Sequence, residues 1–172
     1  MQAAHRALIR IAAVWLMLSA SVSAQEDPGK AMLGEVNVTV YYATDGDPAA
    51  AGARAAEVSS DTQSRFRSQP QLGFKNYRAI GQDIQPVLRS YESWAQPLKP
   101  SDEILIKFEA RSAPTPTLML LDLELWLSRK KILKTDARLE GNRPLLILGP
   151  EWRGGRLIVA VALAQKEKSG SN

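Results

Sequence analysis

The segment TLMLLDLELWLS, residues 117–128, carries the clearest secondary-structure signal in the chain. Leucine or methionine occupies every second position over residues 119–127, and the intervening positions include Asp122, Glu124 and Trp126. An alternation with a period of two is typical of a β-strand with one buried face and one more polar face. We therefore expect a sheet whose core lies against the leucine side of this strand.

Strand patterns of the same kind precede and follow this segment. Valine recurs at every second position within residues 34–42, and isoleucine and phenylalanine do the same within residues 103–110. Further strands are predicted over residues 74–80, 87–95, 131–135, 145–148 and 156–164, with glycine, proline or polar turn signals between them.

Between residues 44 and 73 the sequence carries turn and helix signals instead of strand patterns. Asp47 followed by Pro48 is a helix-start signal, because aspartate caps a helix and proline fits its first turn. The alanine-rich run from there to about Ser68 has a high helix propensity. The order of elements predicts an α+β fold, a mostly antiparallel β-sheet of about six to seven strands with one helix packed on a face. A β-sandwich with a peripheral helix is the alternative.

The two ends of the chain differ in composition from the predicted domain. Residues 1–24 combine two arginines, a short apolar run and a small-residue cleavage pattern, as is typical of a secretory signal peptide. Residues 25–33 read as a linker, residues 34–164 as a single α+β domain and residues 165–172 as a disordered tail. We therefore expect an exported protein, periplasmic or secreted, with no transmembrane segment after signal cleavage.

Composition excludes several kinds of chemistry. The 172 residues include no cysteine and one histidine, His5, which lies within the predicted signal peptide. Removing 24 residues that contain two of the arginines would leave 148 residues with a formal charge of +2. Thiolate and imidazole nucleophiles, and metal sites that depend on either group, are then unavailable to the exported chain. We expect a protein that is not an enzyme, with no catalytic residues, no cofactor and no metal.

Asp122 and Glu124 form a candidate pair of carboxylates. Two positions apart on one face of a strand, they would lie about 7 Å from each other, within the separation of about 6.5–9.5 Å used by inverting glycosidases. Any amphipathic strand with acids on its polar face has this spacing, and pairing with Lys107 or Lys131 explains it as well. A carboxylate-dependent glycosidase is therefore a remote alternative.

Three tryptophans after the predicted signal peptide could stack on a ligand, and two of them have suggestive neighbours. Trp126 lies on the polar side of its strand, and Trp152 lies beside Arg153 in a glycine-rich loop. Indole faces stack on sugar rings and on cations. A carbohydrate-binding domain that uses exposed Trp126 and Trp152, with Arg153, is one hypothesis. A Trp152–Arg153 stack that pins the loop is the competing interpretation.

A basic segment follows the strongest strand. Arg129, Lys130, Lys131 and Lys134 lie within ten residues that hold a single acid. Such a patch could contact an anionic polymer of the cell envelope. A solvated hairpin tip that protects a sheet edge explains the same residues. Export, together with the lack of interleaved aromatic residues, argues against nucleic acid as the partner.

The absence of a catalytic set, together with the export signal, leads to one functional expectation. We expect an exported, non-enzymatic accessory or protein-interaction module of a bacterial-type cell envelope, bound to an envelope protein. Strand edges, especially beside residues 36–42 or 156–164, are the expected docking places, because a sheet edge can recruit a further strand by β-augmentation. A glycan is the alternative ligand.

Overall fold

The computed structural model describes residues 26–164 except positions 113, 116 and 142. The described residues form nine strands and one α-helix. The strands are β1 (Met32–Thr44), β2 (Ala56–Glu57), β3 (Asn76–Leu88), β4 (Ser93–Ala95), β5 (Ile104–Ala110), β6 (Leu118–Leu127), β7 (Lys130–Glu140), β8 (Leu145–Trp152) and β9 (Gly155–Leu163), and the helix is α1 (Ser60–Arg67).

The strands form two antiparallel sheets. The first sheet has the order β2-β3-β1-β9-β8 and the second has the order β4-β5-β6-β7. The predicted class, a mostly antiparallel β fold with one helix on a face, is confirmed. The strands are more numerous than expected and divide into two sheets, as in the sandwich alternative.

The core lies between the two sheets. Val36, Val38 and Val40 of β1 and Leu121 and Leu123 of β6 are all fully buried within one cluster. Because successive side chains of a strand point to opposite faces, these alternating residues turn one side of each sheet inward. The leucine side of β6 therefore faces the core as its alternation predicts, and Asp122, Glu124 and Trp126 fall on the outer face.

The helix is shorter and later than the sequence predicts. Asp47 and Pro48 start only a short 3₁₀ helix, Pro48–Ala51, with the Asp47 carboxylate accepting a hydrogen bond from the Ala49 backbone N–H. Gly52 then adopts a φ of 99°, a left-handed backbone that ends the helix. The α-helix begins only at α1, which Ser59 caps. The prediction of a helix over residues 47–68 was therefore wrong for its first half.

The helix α1 covers part of the outer face of the five-stranded sheet. Its one buried side chain, Phe66, packs edge-on against Tyr41 of β1, with 5.0 Å between ring centroids. Phe66 also packs against Tyr77 of β3 at 5.3 Å, with the two rings inclined at 48°. The hydroxyl of Tyr77 donates to the carbonyl of Leu72 and accepts from the N–H of Phe74. These contacts hold the helix on the sheet and stabilise the segment that connects α1 to β3.

Two predicted strands, over residues 74–80 and 87–95, are replaced by one long strand and one short one. Strand β3 runs through Gly81 and Pro86, and the chain turns only before β4. Gly81 lies at a register shift opposite Val40, and a Cβ at this position would overlap the carbonyl of Pro97. The glycine therefore permits a close approach between chain segments instead of ending the strand.

The predicted ends of the chain largely lie outside the described residues. Residues 1–24, expected to be a signal peptide, and residues 165–172, expected to be a disordered tail, are both in this category. Within the expected linker, Pro28–Lys30 forms a 3₁₀ helix and β1 begins at Met32. None of the helices in residues 26–164 is long and apolar enough to cross a membrane.

Candidate functional site

The outer surface of the four-stranded sheet, which we call the charged face, carries acids, bases and two neighbouring tryptophans. Register places Trp94, Lys107, Glu124 and Lys134 side by side across its four strands. The side chains that define the face are those of Trp94, Lys107, Glu109, Asp122, Glu124, Trp126, Lys131 and Lys134. Opposite charges directly across neighbouring strands stabilise a sheet, as in the row of Lys107, Glu124 and Lys134, whereas the next row brings together the acids Glu109, Asp122 and Asp136.

Glu124 is the best-connected carboxylate of the charged face. One oxygen accepts from the Lys131 ammonium at 2.9 Å and the other from the Trp126 indole N–H at 3.0 Å. Glu124 is only 6% exposed. The hydrogen bond from Lys131 is the largest cause of a lowered pKa for this carboxyl, outweighing the opposing effect of desolvation. Glu124 is therefore ionised at neutral pH and fixed in place.

The other charges of this face are paired as well. Asp122 contacts the Lys134 ammonium at 3.0 Å, and Lys107 contacts Glu92 at 2.7 Å and Glu109 at 3.2 Å. Hydrogen bonding to Glu92 raises the pKa of Lys107 more than any other contact does. A glycosidase needs a protonated carboxylic acid with a raised pKa beside its second carboxylate. The lowered pKa of Glu124 and the ion pair of Asp122 do not suit them to that role.

Trp126 and Trp94 lie next to each other on the charged face. Their ring centroids are 5.9 Å apart with the planes inclined at 54°, and the Lys131 ammonium lies 5.3 Å from the Trp126 centroid. Trp126 is half-buried, whereas Trp94 is 37% exposed. The more accessible indole thus belongs to Trp94, which the sequence-based site does not include. Its three-residue strand is too short for the alternation that identified the outward position of Trp126.

The basic segment after β6 is a hairpin tip whose charges are mostly paired. Arg129 contacts Asp102 at 3.2 Å, while Lys131 and Lys134 contact the two acids of β6 described above. Lys130 is exposed and makes no ion pair with another described residue. An anionic polymer would therefore compete with existing ion pairs at three of the four predicted positions. This geometry favours the solvated hairpin tip.

Trp152 is not an exposed platform. It is 8% exposed, its indole N–H donates to Glu103 at 2.8 Å, and its ring meets that of Tyr42 edge-on at 5.9 Å. The guanidinium of Arg153 stacks on the Trp152 ring, 4.2 Å from the ring centroid. The stacked Trp152–Arg153 pair that pins the loop is present. Trp126 lies apart from this pair on the charged face, so the three predicted ligand-binding residues do not form one site.

Trp152 and Arg153 instead line a groove at the end of the sandwich. The groove has a volume of about 400 Å³ and runs between the segment around Gly52 and the loop around Leu98. Arg54, Lys99 and Arg153 contribute positive charge and Glu103 contributes negative charge. Its remaining lining is small and apolar, formed by Ala51, Ala53, Ala55, Ile80, Pro97 and Leu98, with Ser101 as a further polar group.

The strands expected to recruit a partner lie inside the sheet. β1 lies between β3 and β9, and β9 lies between β1 and β8, so neither residues 36–42 nor residues 156–164 offer a free edge. That expectation was wrong. The edges of the two sheets are β2, β8, β4 and β7, and the part of β3 that extends beyond β2 is a further exposed border.

Among these edges β8 has the longest apolar run. β2 has two residues and β4 has three, while β7 begins with Lys130 and Lys131 and continues with further charged side chains. The border of β3 beyond β2 is polar and contains Pro86. β8 instead opens with Leu145–Leu148, which pairs with β9 on one side and forms no backbone hydrogen bond to any other described segment on its outer side.

No protein-family model matches the chain, and no curated protein or solved structure is significantly similar to it. Within residues 26–164, apart from the three positions not described, no group of three or more carboxylate or imidazole side chains is arranged to hold a metal ion. The function must therefore be inferred from the geometry of the chain itself.

Proposed function

We propose that this protein is an exported, non-enzymatic interaction module of the cell envelope that binds a protein partner by strand addition to β8. The observation that carries the proposal is the apolar edge of residues 145–148, to which no other described segment is hydrogen-bonded on the outer side. Natural sheets protect long edges with charges, prolines or bulges, because a free row of N–H and C=O groups pairs with any available strand. In β8 such protection begins only at Gly149 and Pro150, where the register with β9 shifts.

The side chains of this edge suit an added strand on both of its faces. Leu145 and Ile147 pack against the core between the sheets, and Leu146 and Leu148 pack against the cluster beneath α1. All four are only partly buried. A partner strand with alternating apolar residues would gain backbone hydrogen bonds along the edge and would cover the remaining apolar surface on both sides.

The expected site of action follows from the amino-terminal sequence. Residues 1–24 have the charge, the apolar run and the cleavage pattern of a secretory signal. The lack of cysteine leaves the fold independent of the redox state of the compartment in which it works. An envelope protein with an extended apolar segment is therefore the partner class that we expect.

Leu146→Lys tests the proposal. An edge lysine is the natural device against strand addition, and its long stem can keep apolar contact while its ammonium reaches water. Ile132→Lys is the matched control, because Ile132 is a 39% exposed isoleucine on the charged edge strand β7. Both variants are first compared with the wild type in urea unfolding, so that only folded proteins enter the binding experiment.

The binding experiment uses a photo-crosslinking residue at position 147, followed by amide hydrogen exchange of the purified complex. We expect a crosslinked envelope protein that Leu146→Lys abolishes and Ile132→Lys preserves, with slower exchange of β8 amides in the complex. A partner that binds folded Leu146→Lys as well as wild type would contradict the proposal. Crosslinking only to a second copy of this chain would also contradict it, because the edge would then serve self-association.

Glycan binding by the charged face is the second candidate function. It is favoured by the adjacent indoles of Trp94 and Trp126, since exposed aromatic faces beside charged hydrogen-bonding groups suit sugar rings. A glycan array with Trp94→Ala and Trp126→Ala tests it, with Trp152→Phe as a control outside that face. Glycan binding that the first two changes leave intact, or no glycan binding at all, would eliminate this candidate.

A further inference from the structure

The groove beside Trp152 contains two arginines whose charges are not neutralised. Arg54 and Arg153 both line it, and neither makes an ion pair with any residue in the described part of the chain. Lys99 also lines the groove, but its ammonium is 2.8 Å from the carboxylate of Asp83. Glu103 is the acid of the lining, and one of its oxygens already accepts the Trp152 indole N–H.

The backbone at Arg153 indicates that its side chain is positioned at some cost. Its φ is 48°, in the left-handed region that favours glycine and asparagine, and Gly154 follows with a φ of 77°. A tight hairpin turn of this kind normally places Asn, Asp or Gly at the first position. Arginine there holds its guanidinium over the Trp152 ring and within 3.6 Å of the position that a Cβ on Gly52 would occupy.

Neighbouring contacts fix the backbone on both sides of the groove. The carbonyl of Arg153 accepts the hydroxyl of Tyr42 at 3.0 Å, and Tyr42 is itself fully buried. The opposite wall is fixed where Gly81 allows β3 to approach the carbonyl of Pro97. The lining between the walls is apolar apart from its charged groups and Ser101. Two exposed guanidinium groups beside this partly apolar lining match the planar geometry of a carboxylate or phosphate group attached to a small apolar body.

We infer that the groove lined by Arg54, Arg153 and Trp152 is a binding site for a small organic anion. The anion is held by the two guanidinium groups, and its apolar part lies against the alanines and Leu98. This site is separate from the strand edge proposed above, so its failure leaves the proposed protein interaction untouched. The volume of about 400 Å³ is within the range of about 300–1,000 Å³ for small-molecule sites.

The test uses three probes with the same hexyl chain: hexanoate, hexyl phosphate and the neutral hexanamide. Binding is followed in the ¹⁵N-labelled full chain by the indole N–H signals, in which Trp152 reports on the groove and Trp94 and Trp126 serve as internal controls. We expect saturable shifts of the Trp152 signal with one or both anions and none with hexanamide. Comparing hexanoate with hexyl phosphate identifies which oxyanion the site prefers.

The decisive variant is Arg153→Gly, because glycine suits the left-handed backbone and removes the guanidinium without adding strain. Arg129→Gly is its matched control, since Arg129 is also an exposed arginine with a positive φ, at 66°, in another hairpin turn. We expect Arg153→Gly and Arg54→Ala each to weaken anion binding at least about tenfold, and Arg129→Gly to leave it unchanged. Equal binding by folded Arg153→Gly, equal binding of hexanamide, or no saturable Trp152 shift with either anion would overturn the inference.

Discussion

Gly155→Ala is expected to be among the most damaging single-methyl additions in the structure. A Cβ at this position would lie 2.5 Å from Tyr42 Cε2 and 2.6 Å from the carbonyl oxygen of Ala43. Neither neighbour can retreat easily, because the Tyr42 ring is 1% exposed and Ala43 belongs to the central strand β1. Overpacking of this kind costs about 1–3 kcal/mol, and two rigid neighbours place Gly155→Ala near about 3 kcal/mol.

Gly154→Ala provides the matched comparison, because it tests a different physical cause at the adjacent residue. Nothing lies within 4 Å of its Cβ position, but its φ of 77° makes any L side chain unfavourable. A left-handed backbone costs an alanine about 1 kcal/mol relative to glycine. We therefore expect Gly155→Ala to lose about three times as much unfolding free energy as Gly154→Ala.

Urea unfolding followed by tryptophan fluorescence measures both losses, and an unchanged m-value shows that each variant unfolds from an equally compact state. A loss of about 3 kcal/mol leaves a domain of ordinary stability folded, since such domains have about 5–15 kcal/mol. If Gly155→Ala lost no more than Gly154→Ala, the reasoning would be refuted. Turn conformation, not the packing of the β8–β9 hairpin on Tyr42, would then determine the stability of this end of the sandwich.

Three further predictions concern the helix, the charged face and the groove wall. Phe66→Ala should lower the unfolding free energy by about 3–5 kcal/mol and speed amide hydrogen exchange in α1, because it removes the one buried side chain of that helix. An unchanged exchange rate in α1 would contradict this prediction. Lys131 lowers the pKa of Glu124 below its ordinary value of 4.5. The extra unfolding free energy of the wild type relative to Glu124→Gln should therefore be fully present above pH 4.5 and should shrink as the pH falls below it. A difference in urea unfolding that does not change with pH would contradict this prediction. Trp152→Phe should cost about 1.5–3 kcal/mol by leaving Glu103 without its indole donor, and an unchanged urea midpoint would rule that out.

The alternation of apolar residues predicts burial well in this protein because it is a local property. Strand β6 shows this most clearly: of the positions that its period of two assigns to the core, Leu121 and Leu123 are fully buried, Met119 and Leu125 are buried, and only Leu127, at the end of the strand, is partly exposed. The same period places Asp122 and Glu124 outside. A strand needs only its own sequence to decide which side chains share a face, and the hydrophobic effect then turns the apolar face inward.

Helix propensity failed over residues 47–59 because it describes how well a residue tolerates a helix, not whether one forms. The run has no apolar side chain large enough to anchor a helix on the sheet before Val58, and most helical stability in proteins comes from such packing. Gly52 adopts a positive φ at little cost, so the short 3₁₀ helix ends there. The signals for the true start were Ser59, which caps the helix, and Phe66, which supplies its buried contact.

The tryptophans show why a candidate site is harder to predict than a strand. Trp152 and Trp126 both have an acid as a hydrogen-bond acceptor and a cation near the ring. One nevertheless lies in the wall of a groove and the other on an open sheet face. The difference depends on Glu103 and Tyr42, which are 49 and 110 positions from Trp152 in the sequence, and no local pattern contains that information.

The same reasoning explains why the docking edge was expected at the wrong strands. β9 is apolar on both faces over residues 157–163, and a strand buried on both faces belongs in the middle of a sheet. β1 alternates instead, and its outward-facing Tyr41 is covered by Phe66 of α1. The segment from Leu145 to Leu148 has a shorter apolar run between Pro144 and Pro150, and prolines are accepted where a backbone N–H is not required by a neighbour. Flanking prolines around a short apolar strand are thus the better signal of an edge, and here they enclose the segment to which we assign the partner.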